Sequence, residues 1–170
     1  QTLWLEENFN YGTTSNPDIT VVAPSWVRHS GTQGPQYTSS GLTYTGYIGS
    51  GIGGAISFTN GSSGVNDGDV HRRLSDSIST NQDIYVFALV RLDSARTTAD
   101  YFMHLGPATI GTTFRLRVFA RSFGSGWAIG LSKSTETRAE DSVNVLNFNQ
   151  TYLIALKYSF NTAATNDDLV

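Results

Sequence analysis

The sequence predicts an all-β protein built as a two-sheet antiparallel sandwich, and three observations carry that expectation. Apolar and polar residues alternate with a period of two in segment after segment, with β-branched and aromatic residues enriched there. No window of a dozen residues holds the apolar stripe of an amphipathic helix. Short clusters of Gly, Asn, Asp and Ser separate the alternating runs, as expected where close-spaced strands are joined by tight turns.

Taken in chain order, weaker strands are predicted at 3–9, 42–44, 55–59 and 70–74, a strong one at 85–92, and a weaker one at 101–105. A strong strand follows at 114–123, a weaker one at 127–131 and a last strong one at 152–160. Within 114–123, Phe114, Leu116, Val118 and Ala120 share one face, while Arg115, Arg117 and Arg121 share the other with Phe119. That strand should be buried on one side and lie under solvent or a groove on the other. Turns fall at Asn60-Gly61, Asp67-Gly68, Gly124-Ser125-Gly126 and 161–168, where the residues tolerate positive φ or cap their own backbone. Residues 25–54 are rich in Gly, Ser, Thr and Tyr and should run as a long ordered excursion. The predicted core comprises Phe9, Phe87, Leu89, Phe102, Phe114, Leu116, Val118, Ile154, Leu156 and Tyr158.

At 170 residues the chain is about one domain long, and neither a linker nor an internal repeat divides it, so one domain over 1–170 is expected. Cysteine is absent, which excludes disulfides, thiolate metal sites and a Cys nucleophile. Ionisable residues make up only 15% of the chain and the formal charge is −3, with Arg72-Arg73 the one adjacent basic pair. The sequence therefore lacks the basic footprint of a nucleic-acid or anionic-membrane binder, and no apolar run reaches the ~20 residues of a membrane-spanning helix. The composition is that of a β-rich extracellular protein, and a start at Gln1 leading directly into Leu3-Trp4-Leu5 is what a processed, exported chain would show.

Several segments resemble a domain recurrent in large secreted proteins of Bacteroidota- and Ignavibacteria-like bacteria, a laminin G-like relative of the concanavalin A-like jelly rolls. They are Leu5-Glu6-Glu7-Asn8-Phe9-Asn10-Tyr11, Ser25-Trp26-Val27-Arg28-His29-Ser30-Gly31, Gly41-Leu42-Thr43-Tyr44, Asp69-Val70-His71-Arg72, Tyr101-Phe102-Met103-His104-Leu105-Gly106-Pro107 and Tyr152-Leu153-Ile154-Ala155-Leu156-Lys157-Tyr158. The resemblance implies a jelly-roll topology and an exported protein, surface-bound or released, of the kind secreted by the type IX route. In similar domains the Thr165-Asn166-Asp167-Asp168 turn leads into a further strand, whereas here the sequence stops at Leu169-Val170. A longer parent chain is expected, in which that strand is supplied; without it, an open sheet edge beside 152–160 would invite self-association by strand addition.

No catalytic constellation stands out, and the protein is expected not to be an enzyme. Laminarinase-like hydrolases of this fold alternate carboxylates along one strand, with two of them about 5 Å apart across the scissile bond. Here Glu6-Glu7 would point to opposite faces of a strand, and Glu136 with Glu140-Asp141 falls in a polar loop. His29, His71 and His104 are isolated in sequence, none with the i, i+2 or i+4 histidine spacing of a zinc site; His104, beside Asp100, is the first candidate among them. There is no Gly-x-Ser-x-Gly elbow.

The expected function is therefore carbohydrate binding or adhesion, toward a glycan or a surface protein. The alternatives are a structural subunit joined by strand addition and a divergent laminarinase-like hydrolase. Trp26, Tyr37, Tyr44, Tyr47 and Trp127 are the candidate sugar-stacking aromatics, with Tyr37 and Tyr47 expected to be the most exposed. Laminin G-like domains often hold Ca²⁺, and Asp67, Asp69, Asp167 and Asp168 are the candidate ligands, set against ordinary Asx-turns. Asp76-Ser77-Ile78, Asp93-Ser94-Ala95 and Asp141-Ser142-Val143 fit the bacterial O-glycosylation pattern, making Ser77, Ser94 and Ser142 candidate acceptors. Asn60-Gly61-Ser62 and Asn149-Gln150-Thr151 fit the eukaryotic-type sequon.

Overall fold

The computed structural model describes residues 2–59 and 67–162. Among the described residues its elements are ten strands and one four-residue helical turn, and every strand pairing is antiparallel. The expected all-β, antiparallel, sandwich-type class is what the chain forms. It divides into two compact units, Gln1–Asp76 and Ser77–Val170.

In the first unit, α1 (Ile19–Val22) is a single turn capped by Asp18, β1 (Val27–Arg28) pairs with β4 (Val70–His71), and β2 (Gln36–Thr38) pairs with β3 (Ala55–Ser57). So little regular structure needs other ties, and two buried carboxylates supply them. Asp18 accepts from the Thr20 amide at 2.9 Å, the Thr20 hydroxyl at 2.7 Å and the Gly34 amide at 2.9 Å, and pairs with Arg28 at 3.3 Å. Burial opposes its charge, but these donors outweigh it and hold the carboxyl below its ordinary range. A Cβ at position 34 would lie 2.6 Å from an Asp18 carboxylate oxygen, so the approach requires glycine.

Glu7 is the second tie. It accepts from the Phe9 amide at 2.6 Å, the Tyr11 hydroxyl at 2.6 Å, the Trp26 indole at 2.9 Å and the Arg72 guanidinium. Burial and the bond to Glu7 push the Tyr11 hydroxyl up, so it stays a donor. The apolar core here is Ile19, Ala23 and Tyr37, with Phe9, Tyr11, Val22, Trp26, Ile56 and Val70 packed on it.

The expected strands at 3–9 and 42–44 do not form. Phe9 has φ 51°, which no strand tolerates; it bends the chain so that its ring stacks on Trp26, 5.8 Å between centroids, while the Asn8 and Phe9 carbonyls accept from Gly54. The 25–54 excursion is more regular than expected, because β1 and β2 lie within it.

In the second unit, β5 (Gln82–Arg91) and β10 (Thr151–Phe160) form a ten-pair ladder from Gln82↔Phe160 to Arg91↔Thr151. The strands β6 (Asp100–His104), β7 (Arg117–Phe123), β8 (Gly126–Ser132) and β9 (Ala139–Glu140) form a four-stranded meander. Gly124 and Ser125 make a two-residue β7–β8 turn in which Gly124 takes φ 59°. A register shift between Tyr101 and Met103 marks a bulge in β6.

One buried cluster joins the two sheets: Leu116 and Val118 from the meander side meet Ile154, Leu156 and Tyr158 of β10. Ile84, Val86, Ala88 and Val90 are the β5 residues on this side, alternating with Asp83, Tyr85, Phe87 and Leu89 on the other. Two expected core residues on β5 are thereby corrected. Phe87 is 56% exposed, and Leu89 shares its outward face, because the inner side of β5 is already taken by the even-numbered set. A third, Phe114, lies outside the core cluster, packed against Tyr101 and His104 with the Arg117 guanidinium over its ring.

On the outer side of β7, Phe119 is 8% exposed. Neither solvent nor a groove meets that ring: the Arg117 and Arg138 guanidiniums lie over it, 5.2 and 5.7 Å from its centroid. Beside them Glu140 is held by Arg121 through paired hydrogen bonds and by Arg138 at 2.9 Å; the Arg121 bond above all keeps its carboxyl below the ordinary range.

Candidate functional site

The aromatic residues expected to meet a sugar are mostly not available to one. Tyr37 and Trp127 are fully buried. Tyr37 is a strand residue whose hydroxyl donates to the Gly12 carbonyl at 2.7 Å, and it anchors the first unit's core. Trp127, the second residue of β8, is bridged to Leu146 and meets Tyr152 edge-on. Trp26 and Tyr47 are half-buried, Trp26 being tied to Glu7 and stacked on Phe9. Tyr44 alone of the five is exposed.

The candidate calcium ligands Asp167 and Asp168 lie outside the described residues, as does the Asn60-Gly61 turn. Asp69 accepts the Ser30 hydroxyl at 2.5 Å, and no group of three or more His, Cys, Asp or Glu converges among the described residues. Ser77, Ser94 and Ser142 are all exposed; Ser142 sits in a turn where Asp141 accepts from the Val143 and Asn144 amides. His104 packs edge-on against Tyr101 and Phe114 in β6, and Asp100 accepts from the Tyr101 amide.

What sequence reasoning missed is the outer face of the β5–β10 ladder. Tyr85 and Phe87, two apart on β5, project from the same face and are 48% and 56% exposed. Residues so spaced stand about 6.5–7 Å apart along a strand, which sets two rings in a row. Phe87 faces Ala155, whose small side chain leaves the ring uncovered across the ladder, and Tyr85 faces Lys157. At one end of the row Asp83 accepts the Ser159 hydroxyl at 2.6 Å and pairs with Lys157 at 2.9 Å. Hydrogen bonds from Lys157 and then Ser159 lower the Asp83 carboxyl, and Asp83 raises Lys157, so both are charged at neutral pH. The opposite end carries Leu89 facing Leu153, then Arg91, paired with Asp93 at 2.8 Å.

The face thus combines bare ring surface with hydroxyl, carboxylate and ammonium groups along one edge of it. Such a surface can stack on an apolar ring face and hydrogen-bond the substituents around it. No protein-family model, curated protein or solved structure matches the chain.

Proposed function

We propose that this chain is a non-catalytic module for carbohydrate binding or adhesion, acting outside the cell or at its surface, and that the outer face of the β5–β10 ladder takes the ligand. The observation that carries this reading is the exposed Tyr85–Phe87 row beside the Asp83–Lys157–Ser159 group. A pyranose has an apolar face of C–H groups and a rim of hydroxyls; the rings suit the first and the polar edge the second. An extracellular setting fits the low charge, the Gly-, Ser-, Thr- and Asn-rich composition and the resemblance to secreted jelly rolls.

The carboxylates support a non-enzymatic reading. A glycosidase acid needs a raised pKa and a partner carboxylate across a gap. Asp18 and Glu140 are instead held below the ordinary range by their donors, and Glu7 is engaged by four donors.

The test is a glycan array followed by titration with any glycan retained. Phe87→Ala and Tyr85→Ala should each weaken binding about tenfold or more while thermal stability holds. Binding indifferent to both, or release of reducing sugar from β-glucans at enzymatic rates, would overturn the proposal.

A structural subunit joined by strand addition is the second reading, favoured by one observation: among the described residues β5 and β10 are laddered only to each other. That reading expects assemblies that grow with concentration, with Tyr85 and Phe87 dispensable.

A further inference from the structure

The first unit brings together two histidines that lie 42 positions apart in the chain. His71 ends β4 opposite Val27, and His29 follows β1, its amide donating to the Asp69 carbonyl at 3.0 Å so that the pairing continues one step past the strand. The two side chains are diagonal neighbours on one face, where strand geometry lets ring atoms meet. Their Nδ1 atoms are 3.1 Å apart, with ring centroids at 5.1 Å and planes inclined by 59°.

We propose that His29 and His71 form a chelating site for a borderline divalent transition-metal ion, Zn²⁺ or Cu²⁺, bound through both Nδ1 atoms. Imidazole nitrogens bind such ions at about 2.0–2.1 Å, so two of them sharing one ion at angles of about 90–109° stand about 2.9–3.4 Å apart. The observed separation falls inside that range, and the rings need only turn their lone pairs from each other to the shared ion. The pair also has a reason to accept one. Two facing Nδ1 atoms satisfy each other only while one donates and the other accepts, whereas an ion takes both lone pairs at once.

Asp69, whose carbonyl accepts from the His29 amide, has its carboxylate turned to the Ser30 hydroxyl, and Arg72 is committed to Glu7. Water or a partner's donor would complete the coordination. This is a weaker site than a three-residue one, and its ion is exchangeable.

The test titrates the intact chain with Zn²⁺ alone and with Cu²⁺ alone. One ion should bind per chain, and His29→Ala and His71→Ala should each weaken binding by tenfold or more, while His104→Ala leaves it unchanged. Two-nitrogen hyperfine structure should appear in the Cu²⁺ paramagnetic resonance spectrum. Circular dichroism checks that the variants are folded. Side-chain ¹⁵N spectra of the unmutated protein give an independent readout, in which Zn²⁺ should move the Nδ1 signals of His29 and His71 and no others among the histidines. Absence of saturable binding up to about 1 mM ion, affinity within twofold of the parent in both variants, or Nδ1 signals that do not respond would each overturn the proposal.

Discussion

Glu7 shows how much of the first unit rests on one side chain. A carboxylate that is 11% exposed can remain there only with its lone pairs occupied, and Phe9, Tyr11, Trp26 and Arg72 occupy them. Glu7→Ala removes the acceptor for all four donors and leaves the Arg72 charge, itself three-quarters buried, without its partner. We expect a loss of about 3 kcal/mol or more, measured by urea denaturation. Glu7→Gln, which keeps the shape and one acceptor oxygen, should lose less. None of this could be read from Glu6-Glu7 in the sequence, because the donors come from positions up to 65 residues away and Trp26 reads equally well as a ligand platform. The His29–His71 contact was hidden for the same reason: only the β1–β4 register makes the two residues neighbours.

At the scale of elements, the long strands were legible and their faces only partly so. Segments 85–92, 114–123 and 152–160 correspond to β5, β7 and β10 with ends shifted by a few residues, since alternation marks a strand's middle better than its ends. At β7 the inward Val118, and Leu116 just before the strand, were apparent from alternation against arginines. In β5 both faces are apolar, so alternation could not say which turns inward. The larger set, Tyr85, Phe87 and Leu89, is the outward one. A stability contrast follows. Leu156→Ala, in the core at 7% exposure, should cost about 2–5 kcal/mol, whereas Phe87→Ala should cost less than about 1 kcal/mol, both by chemical denaturation. A large loss at Phe87 would mean that its ring is covered in solution. The irregular stretches were the least legible, since Phe9 at positive φ defeats a strand that composition alone would support.

At the scale of the whole molecule, each unit contains a carboxylate held ionised by its neighbours: Asp18 in the first and Glu140 in the second. Both have a folded-state pKa below the unfolded one. The unfolded chain therefore takes up protons first as pH falls, and these groups stabilise the fold only above the ordinary carboxylate range. The contribution of these carboxylates should be level from neutrality down to about pH 5, then fall as the medium passes through about pH 4 and below. His71, whose pKa the fold lowers, should make total stability begin to decline as pH drops through the ordinary histidine value of 6.5. Melting temperatures measured across that range check this. In Glu140→Gln the acid-side slope should be shallower than in the parent, at the cost of lower stability at neutral pH.

The β5–β10 ladder also sets an order of events. Its partners are separated by about sixty to eighty positions in the chain, so closing it costs loop entropy that no local contact repays. The β7–β8 hairpin, by contrast, closes over the two residues Gly124 and Ser125 and can form early. The meander should therefore organise the transition state for folding, with the long ladder zipping afterwards. In stopped-flow experiments Gly124→Val, which strains the positive-φ turn, should slow refolding, and Leu156→Ala should chiefly hasten unfolding. Until the ladder closes, the strand carrying Tyr85 and Phe87 is an unpaired apolar segment, so the surface proposed for ligand is also the one most prone to aggregate while the chain is still folding.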